Sequence, residues 1–311
     1  GDPANTVNAM GIELQGLAKA FSRLKPDMAV ILGDRYEMLA AASAALIFGI
    51  PVAHLYGGEI TEGAYDDSIR HAITKLSRLH FTSTEEYRSR VIAMGEHPDT
   101  VIHAGALGAD NISKFTPMSL AQLEESLGAE LGPDFLLATF HPVTNEPGQE
   151  EAQTEALLQA LEPYLEHHRI LFTMPNADTG GARVAALIRR WAAQHPQRVV
   201  TAVSLGRVRY YSALAHCAAV VGNSSSALTE APSFCIPSVD IGNRQKGRAA
   251  GSTVIHCNAE RQDIAQALEK ALSADFRNQC RQNPDNPYFR KGSLQRIASV
   301  LTTVELPMPP F

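Results

Sequence analysis

Apolar residues along the chain gather in ten short β-rich runs, at 28–34, 51–56, 79–83, 100–105, 135–140, 169–175, 198–203, 218–224, 236–242 and 252–257. Each predicts a strand. Between them the apolar positions recur at helical spacing, and 35–48, 66–78, 84–94, 150–166, 179–194, 207–217 and 260–273 predict amphipathic helices. Such regular alternation argues for an α/β fold of parallel sheets with helices on both faces. In sheets of that kind ligands collect where strands end and helices begin.

The stretch 106–134 is the longest without a convincing strand and marks the seam between two Rossmann-like units. The expected domains are 1–115 and 116–289. A final helix within 290–311 is expected to pack back across the first unit. The chain opens on "ANTVNAMGIELQGLAKAFSRL", which reads as a later helix of a doubly wound unit, so the first unit is expected to be shortened at its N-terminus.

Length and composition narrow the class. A chain of 311 residues suits two domains of ~150 residues each. Apolar content of 45% with 19% charged residues is ordinary for a soluble protein with a full core. A net charge of −6 offers no field for nucleic acid or anionic lipid, so an anionic substrate must be met by local charge. No apolar run approaches the ~20 residues of a membrane span. The start has neither a basic region nor an apolar stretch, so no signal peptide and a cytoplasmic location are expected. Cys217, Cys235, Cys257 and Cys280 lack CxxC spacing and read as reduced core cysteines rather than a zinc site.

Candidate chemistry concentrates at predicted strand ends. Asp34 in "GDR" stands where a strand gives way to a helix, and is either an N-cap or a carboxylate aimed at a ligand. After the next strand, Gly57-Gly58 allows a sharp turn and a close backbone approach. Glu59 follows, then Asp66, Asp67, Arg70 and His71 at a helix start. Dipole capping and i,i+4 ion pairs would explain these acids plainly. The arrival of Asp34 and Glu59 at the same sheet edge favours acid/base work, because carboxylates sharing a pocket drive their pKa values apart. His141, before a proline at the end of "LLATFHP", is a proton-carrier candidate. "MPNADTGG" places Asn176 and Asp178 at the next strand end. In "VVGNSSSALTEAP" a buried strand breaks at Gly222, and Ser224, Ser225 and Ser226 open a helix whose free N–H groups, hydroxyls and dipole suit an anion. Glu230 could bond two vicinal hydroxyls, and a basic loop carries Arg244, Lys246 and Arg248 nearby; the plain alternative is a serine cap with a surface glutamate. GxxxxGK[ST] is absent, which disfavours a P-loop enzyme.

The strings "GDRYE", "GGEIT", "DDSIRHAITKLSRLHF", "FHPVT", "PNAD", "VSLGRVRY", "GNSSS…EAP" and "GNRQKGR", in this order, resemble the hydrolysing UDP-N-acetylglucosamine 2-epimerases of sialic-acid pathways. The resemblance covers nearly the whole chain. It implies two Rossmann-like domains facing across a cleft, the glycosyltransferase-B architecture, and a homodimer or homotetramer. It implies release of UDP and formation of N-acetylmannosamine, by elimination to 2-acetamidoglucal and then hydration, with no metal or redox cofactor. Alternatives are the same chemistry on a UDP-2,4-diacetamido-trideoxy sugar, a non-hydrolysing epimerase, a glycosyltransferase, and a nucleotide-sugar-binding protein without activity. Carried over, Asp34, Asp66 and His141 are acid/base groups, Ser224, Ser225 and Ser226 hold the diphosphate, Glu230 the ribose, and Arg70 lies near the sugar or diphosphate. Relatives carry a glutamate where Tyr56 stands, so its role is assigned here to Glu59.

Overall fold

The computed structural model describes residues 3–60, 65–143, 146, 148–175 and 180–305. Two compact units form, Gly1–Asp110 with Tyr288–Phe311, and Asn111–Pro287. These bounds differ from the expected 1–115, 116–289 and 290–311 for a local reason. Asp110 accepts a hydrogen bond from the Gly292 amide at 2.9 Å, and the Tyr288 hydroxyl lies 3.1 Å from that of Tyr87. The crossing points are therefore tied into the first unit by side chains that carry no hydrophobic periodicity.

The first unit runs α1 (Pro3–Leu24), β1 (Ala29–Leu32), α2 (Tyr36–Ile47), β2 (Val52–Leu55), α3 (Tyr65–Leu76), β3 (Leu79–Thr82), α4 (Glu85–Ala93), β4 (Val101–His103) and α5 (Leu107–Ile112). Its four strands pair in parallel in chain order. One face is packed by Phe21, Ile31, Ala42, Ala45 and Ile73, the other by Ala53, Leu55, Phe81, Ala104 and Ile297. β2 and β3 are buried along their whole length, whereas Val30 and Leu32 of the edge strand β1 are 55% and 51% exposed. Continuous apolar runs are what a parallel strand covered on both faces requires.

The second unit continues α6 (Leu120–Leu127), β5 (Leu136–Thr139), α7 (Glu150–Leu161), β6 (Ile170–Thr173), α8 (Gly181–Gln194), β7 (Val199–Ala202), α9 (Gly206–His216), β8 (Ala219–Gly222), α10 (Ser226–Thr229), β9 (Ser238–Ile241), β10 (Val254–Cys257), α11 (Arg261–Leu272) and α12 (Ala274–Gln282). The chain then returns to the first unit in α13 (Ser293–Thr303). Local signals set the ends of several helices. α6, for example, has a Ser119–Gln122 capping box and a left-handed Gly128 at its end. The six parallel strands are ordered β10-β9-β8-β5-β6-β7. Strand order thus reverses between β5 and β8, and that switch point is where an open α/β sheet leaves a crevice beyond its carboxyl ends. One core of aliphatic and aromatic side chains, from Leu136 and Phe172 to Trp191 and Leu268, fixes the sheet beneath it. Among the described residues no helix is long and apolar enough to cross a membrane.

Candidate functional site

In the first unit the acids converge at the carboxyl ends of β1 and β2. Asp34 is not the N-cap of α2; Arg35 takes that place without a side-chain capping bond. The Asp34 carboxylate instead pairs with the Arg70 guanidinium, which is only 2% exposed. Arg70 also reaches Asp67 at 3.6 Å, and Asp67 lies 3.6 Å from the His71 ring. The Arg70–Asp34 pair spans from α3 to the end of β1. Asp66, in the first turn of α3, acts electrostatically on Arg35. The buried Arg70 braces Asp34, since a buried charge is tolerated when paired.

Glu59 sits farther along the same sheet, at β3. It is 8% exposed and accepts a 2.6 Å hydrogen bond from Ser83. The second glycine of the pair before it is sterically required. A Cβ on Gly58, at φ +78°, would lie 2.6 Å from the Tyr87 carbonyl oxygen. Tyr56, just before the glycine pair, accepts from the Leu107 amide through its hydroxyl at 2.9 Å.

His54, within β2, was not singled out by the sequence. It is fully buried, and burial pushes its imidazole down to about 4, so it is neutral near pH 7. Its Nε2–H donates to the Gly33 carbonyl at 2.8 Å, pinning the turn that carries Asp34. A histidine inside an otherwise apolar strand was the available signal.

In the second unit, His141 follows β5 and the serine turn follows β8, so both stand at the switch point. The His141 backbone is held by Asn223 on both sides, its N–H at 2.7 Å and its carbonyl at 2.8 Å. The helix expected from Ser224 begins only at Ser226 and spans four residues, Ser226–Thr229. A substantial helix dipole is therefore not available there, and what the turn offers is hydroxyls and nearby amides. The Ser226 hydroxyl accepts from Tyr210 at 2.7 Å, while Ser224 Oγ lies 3.4 Å from the Ser226 amide. Glu230 accepts from the Tyr211 hydroxyl at 3.2 Å, which aims its carboxylate. Both tyrosines come from α9, Tyr210 closing the "VSLGRVRY" string and Tyr211 following it, and their roles were not anticipated.

The basic loop divides. Arg244 donates to the Asn223 carbonyl at 3.1 Å and so stays beside the serine turn. Lys246 and Arg248 line a neighbouring cavity of about 670 Å³ with Asp240 and His256. Asp240 is buried, and His256 Nδ1 lies 2.8 Å from its carboxylate. The bond to Asp240 raises the His256 pKa, while burial raises that of Asp240. Asn176 and Asp178 lie outside the described residues. Among the described residues no cluster of three or more His, Cys, Asp or Glu side chains could hold a metal ion.

A family model described as UDP-N-acetylglucosamine 2-epimerase matches residues 2–302. A Campylobacter jejuni protein named GDP/UDP-N,N'-diacetylbacillosamine 2-epimerase (hydrolyzing) is 37% identical over 89% of this chain and 71% of its own length. The Escherichia coli polysialic acid biosynthesis protein P7 is 35% identical over 95% and 74%. A Legionella pneumophila UDP-N,N'-diacetylbacillosamine 2-epimerase (hydrolyzing) is 33% identical over 97% and 78%. Among solved structures, the Neisseria meningitidis UDP-GlcNAc 2-epimerase bound to UDP-GlcNAc superposes with a TM-score of 0.82 at 18% identity, over 96% of this chain and 82% of that one. The S. aureus MnaA–UDP structure gives 0.77 at 16% identity, over 96% and 81%. With fold and sequence in agreement across nearly its whole length, the chain belongs to the UDP-N-acetylglucosamine 2-epimerase family.

Proposed function

We propose that this UDP-sugar 2-epimerase is of the hydrolysing kind, converting UDP-N-acetylglucosamine and water to N-acetylmannosamine and UDP. The C2 hydrogen of the sugar is a very weak acid, whereas UDP leaves readily from C1 once its charge is met. A base removes the C2 proton, the C2–H electrons form the C1=C2 bond, and the C1–O bond to UDP breaks. Water then adds to C1 of the resulting 2-acetamidoglucal, and a proton returns to C2 from the opposite face. Both steps need paired acid/base groups, which we assign to Asp34, Glu59, Asp66 and His141. Ser224, Ser225, Ser226, Arg244 and Arg248 are assigned to the departing diphosphate, and Glu230 to the ribose. Arg70, paired with Asp34, is assigned near the sugar or diphosphate, and Asn176 and Asp178 are further substrate contacts.

The observation that carries this assignment is the meeting of His141 and the serine turn at the β5/β8 switch point. Hydrolysis, rather than return of a UDP-bound epimer, is favoured by the names of the Campylobacter and Legionella relatives. Those names also favour a second substrate, UDP-N,N'-diacetylbacillosamine, for the same chemistry. Incubation with each UDP-sugar separates the cases. Free UDP and a free 2-epimerised sugar are expected from one of the two, and an epimer that keeps its UDP would overturn hydrolysis. We further propose a cytoplasmic homodimer or homotetramer.

A further inference from the structure

Resting on the epimerase reading above, we infer that Asn223 is the positioning residue of the second unit: its side-chain amide locks the His141 backbone at the end of β5 and so places the imidazole against the serine turn.

The argument starts from the ladder. β5 and β8 pair in parallel from Leu136 opposite Ala219 to Thr139 opposite Gly222. At Gly222 the chain turns away with φ +137°, a conformation open to glycine; a Cβ there would stand 1.8 Å from the Thr139 carbonyl oxygen. The Asn223 amide makes one more backbone bond, to Thr139 O at 3.1 Å, and the two chains then diverge. The peptide groups of His141 are left beyond the last strand partner. The Asn223 side chain replaces the missing strand. Its Oδ1 accepts from the His141 N–H at 2.7 Å and its Nδ2 donates to the His141 carbonyl at 2.8 Å.

Few side chains can do this. A primary amide presents a donor and an acceptor side by side as a peptide does; aspartate lacks the donor, serine is too short, and glutamine is one methylene too long. Asn223 is fully buried, so the bonds are made without competition from water. The same residue anchors the rest of the site. Its own carbonyl accepts from Arg244 Nη1 at 3.1 Å and Gln245 Nε2 at 2.9 Å, and Ser224 follows it directly in the chain. One residue therefore registers the His141 backbone, the serine turn and the basic loop. Displacing a catalytic group by about 1 Å can cost ~10²-fold in rate.

A double-mutant cycle with H141A, read by UDP release, tests the inference. N223A is expected to lower kcat about 100-fold in the wild-type background, with KM and UDP affinity changed only a few-fold, and to have almost no further effect on kcat in H141A. Additive losses in the cycle, or a fall in UDP affinity that matches the fall in kcat, would overturn it. N223D keeps the size of the side chain but turns an acceptor toward the His141 carbonyl, and is read in the same cycle if N223A does not fold. Should the wild type release no UDP from any UDP-sugar, the epimerase reading fails separately. The lock is then read from the NMR signal and titration of the His141 ring. A shifted signal in N223D supports the lock, and an unchanged one overturns it.

Discussion

The two sheets hold their functional side chains by different means. At the ends of β1 and β2 the holding is done by charge: a buried Arg70 braced between Asp34 and Asp67, with Asp66 and Arg35 beside them. At the ends of β5 and β8 it is done by neutral groups, the Asn223 amide and the tyrosine hydroxyls that reach Ser226 and Glu230. Charge can be redistributed as a proton moves, which suits an acid/base cluster. Neutral hydrogen bonds fix shape and stay constant while an anion arrives and leaves, which suits the proposed diphosphate site. The difference predicts where each half is vulnerable.

The largest effect is expected from shape in the second unit. Gly222→Ala drives a Cβ into the Thr139 carbonyl, whereas Gly33, at φ +84° after β1, has nothing within 4 Å of its would-be Cβ. Urea unfolding should show a loss above about 4–5 kcal/mol for Gly222→Ala and only about 1 kcal/mol for Gly33→Ala. Equal losses would erase the contrast. In the first unit the vulnerable feature is charge. Asp34→Ala leaves the buried guanidinium short of a partner and should cost about 3–5 kcal/mol by the same measurement. A loss near zero would mean that Asp34 does not brace Arg70.

Asp66→Asn comes next, because it removes a proposed proton-transfer group while Asp34 and Asp67 still pair with Arg70. Turnover should fall at least ~100-fold, the low end of what an acid/base group contributes, while UDP still binds by calorimetry. Unchanged turnover would remove Asp66 from the mechanism.

The smallest effect concerns pH. Burial holds His54 and His80 of the first unit at about 4, below the ordinary 6.5 of the unfolded chain. Below pH 6.5 the unfolded state binds more protons, so stability should fall from pH 6.5 toward 4, by about 1 kcal/mol for each imidazole at pH 6. His256 has the opposite sign: its pKa is raised by Asp240, so its contribution is present in acid and lost as pH rises through the folded value. Amide exchange resolved by unit should show the first unit opening earlier in mild acid. The reverse order would contradict the assignment of buried neutral imidazoles.

Much of this was legible in the sequence, for a physical reason. Buried parallel strands are written as unbroken apolar runs, so each of the ten expected runs contains a strand. Acids and serines at strand ends announce themselves because nothing in the core needs them there. What stayed hidden was partnership at a distance. Asp34 reads as a cap until Arg70, thirty-six positions on, is seen to claim it. Asn223 reads as part of a serine turn until the His141 backbone arrives eighty-two positions away. α10 starts two residues later than Ser224 and ends after four residues, and Pro232 in the next turn prevents it from continuing. No spacing rule reports such pairs, since the parallel crossovers that create them place whole helices in between.

Deuterium at C2 decides the mechanism as a whole. With the protein incubated in heavy water with UDP-N-acetylglucosamine, or with its 4-acetamido counterpart, proton removal and return at that carbon predict one solvent deuteron at C2 of a sugar freed from UDP. A freed sugar that keeps its original C2 hydrogen would mean direct hydrolysis, and the acidic edge of the first sheet would need another purpose.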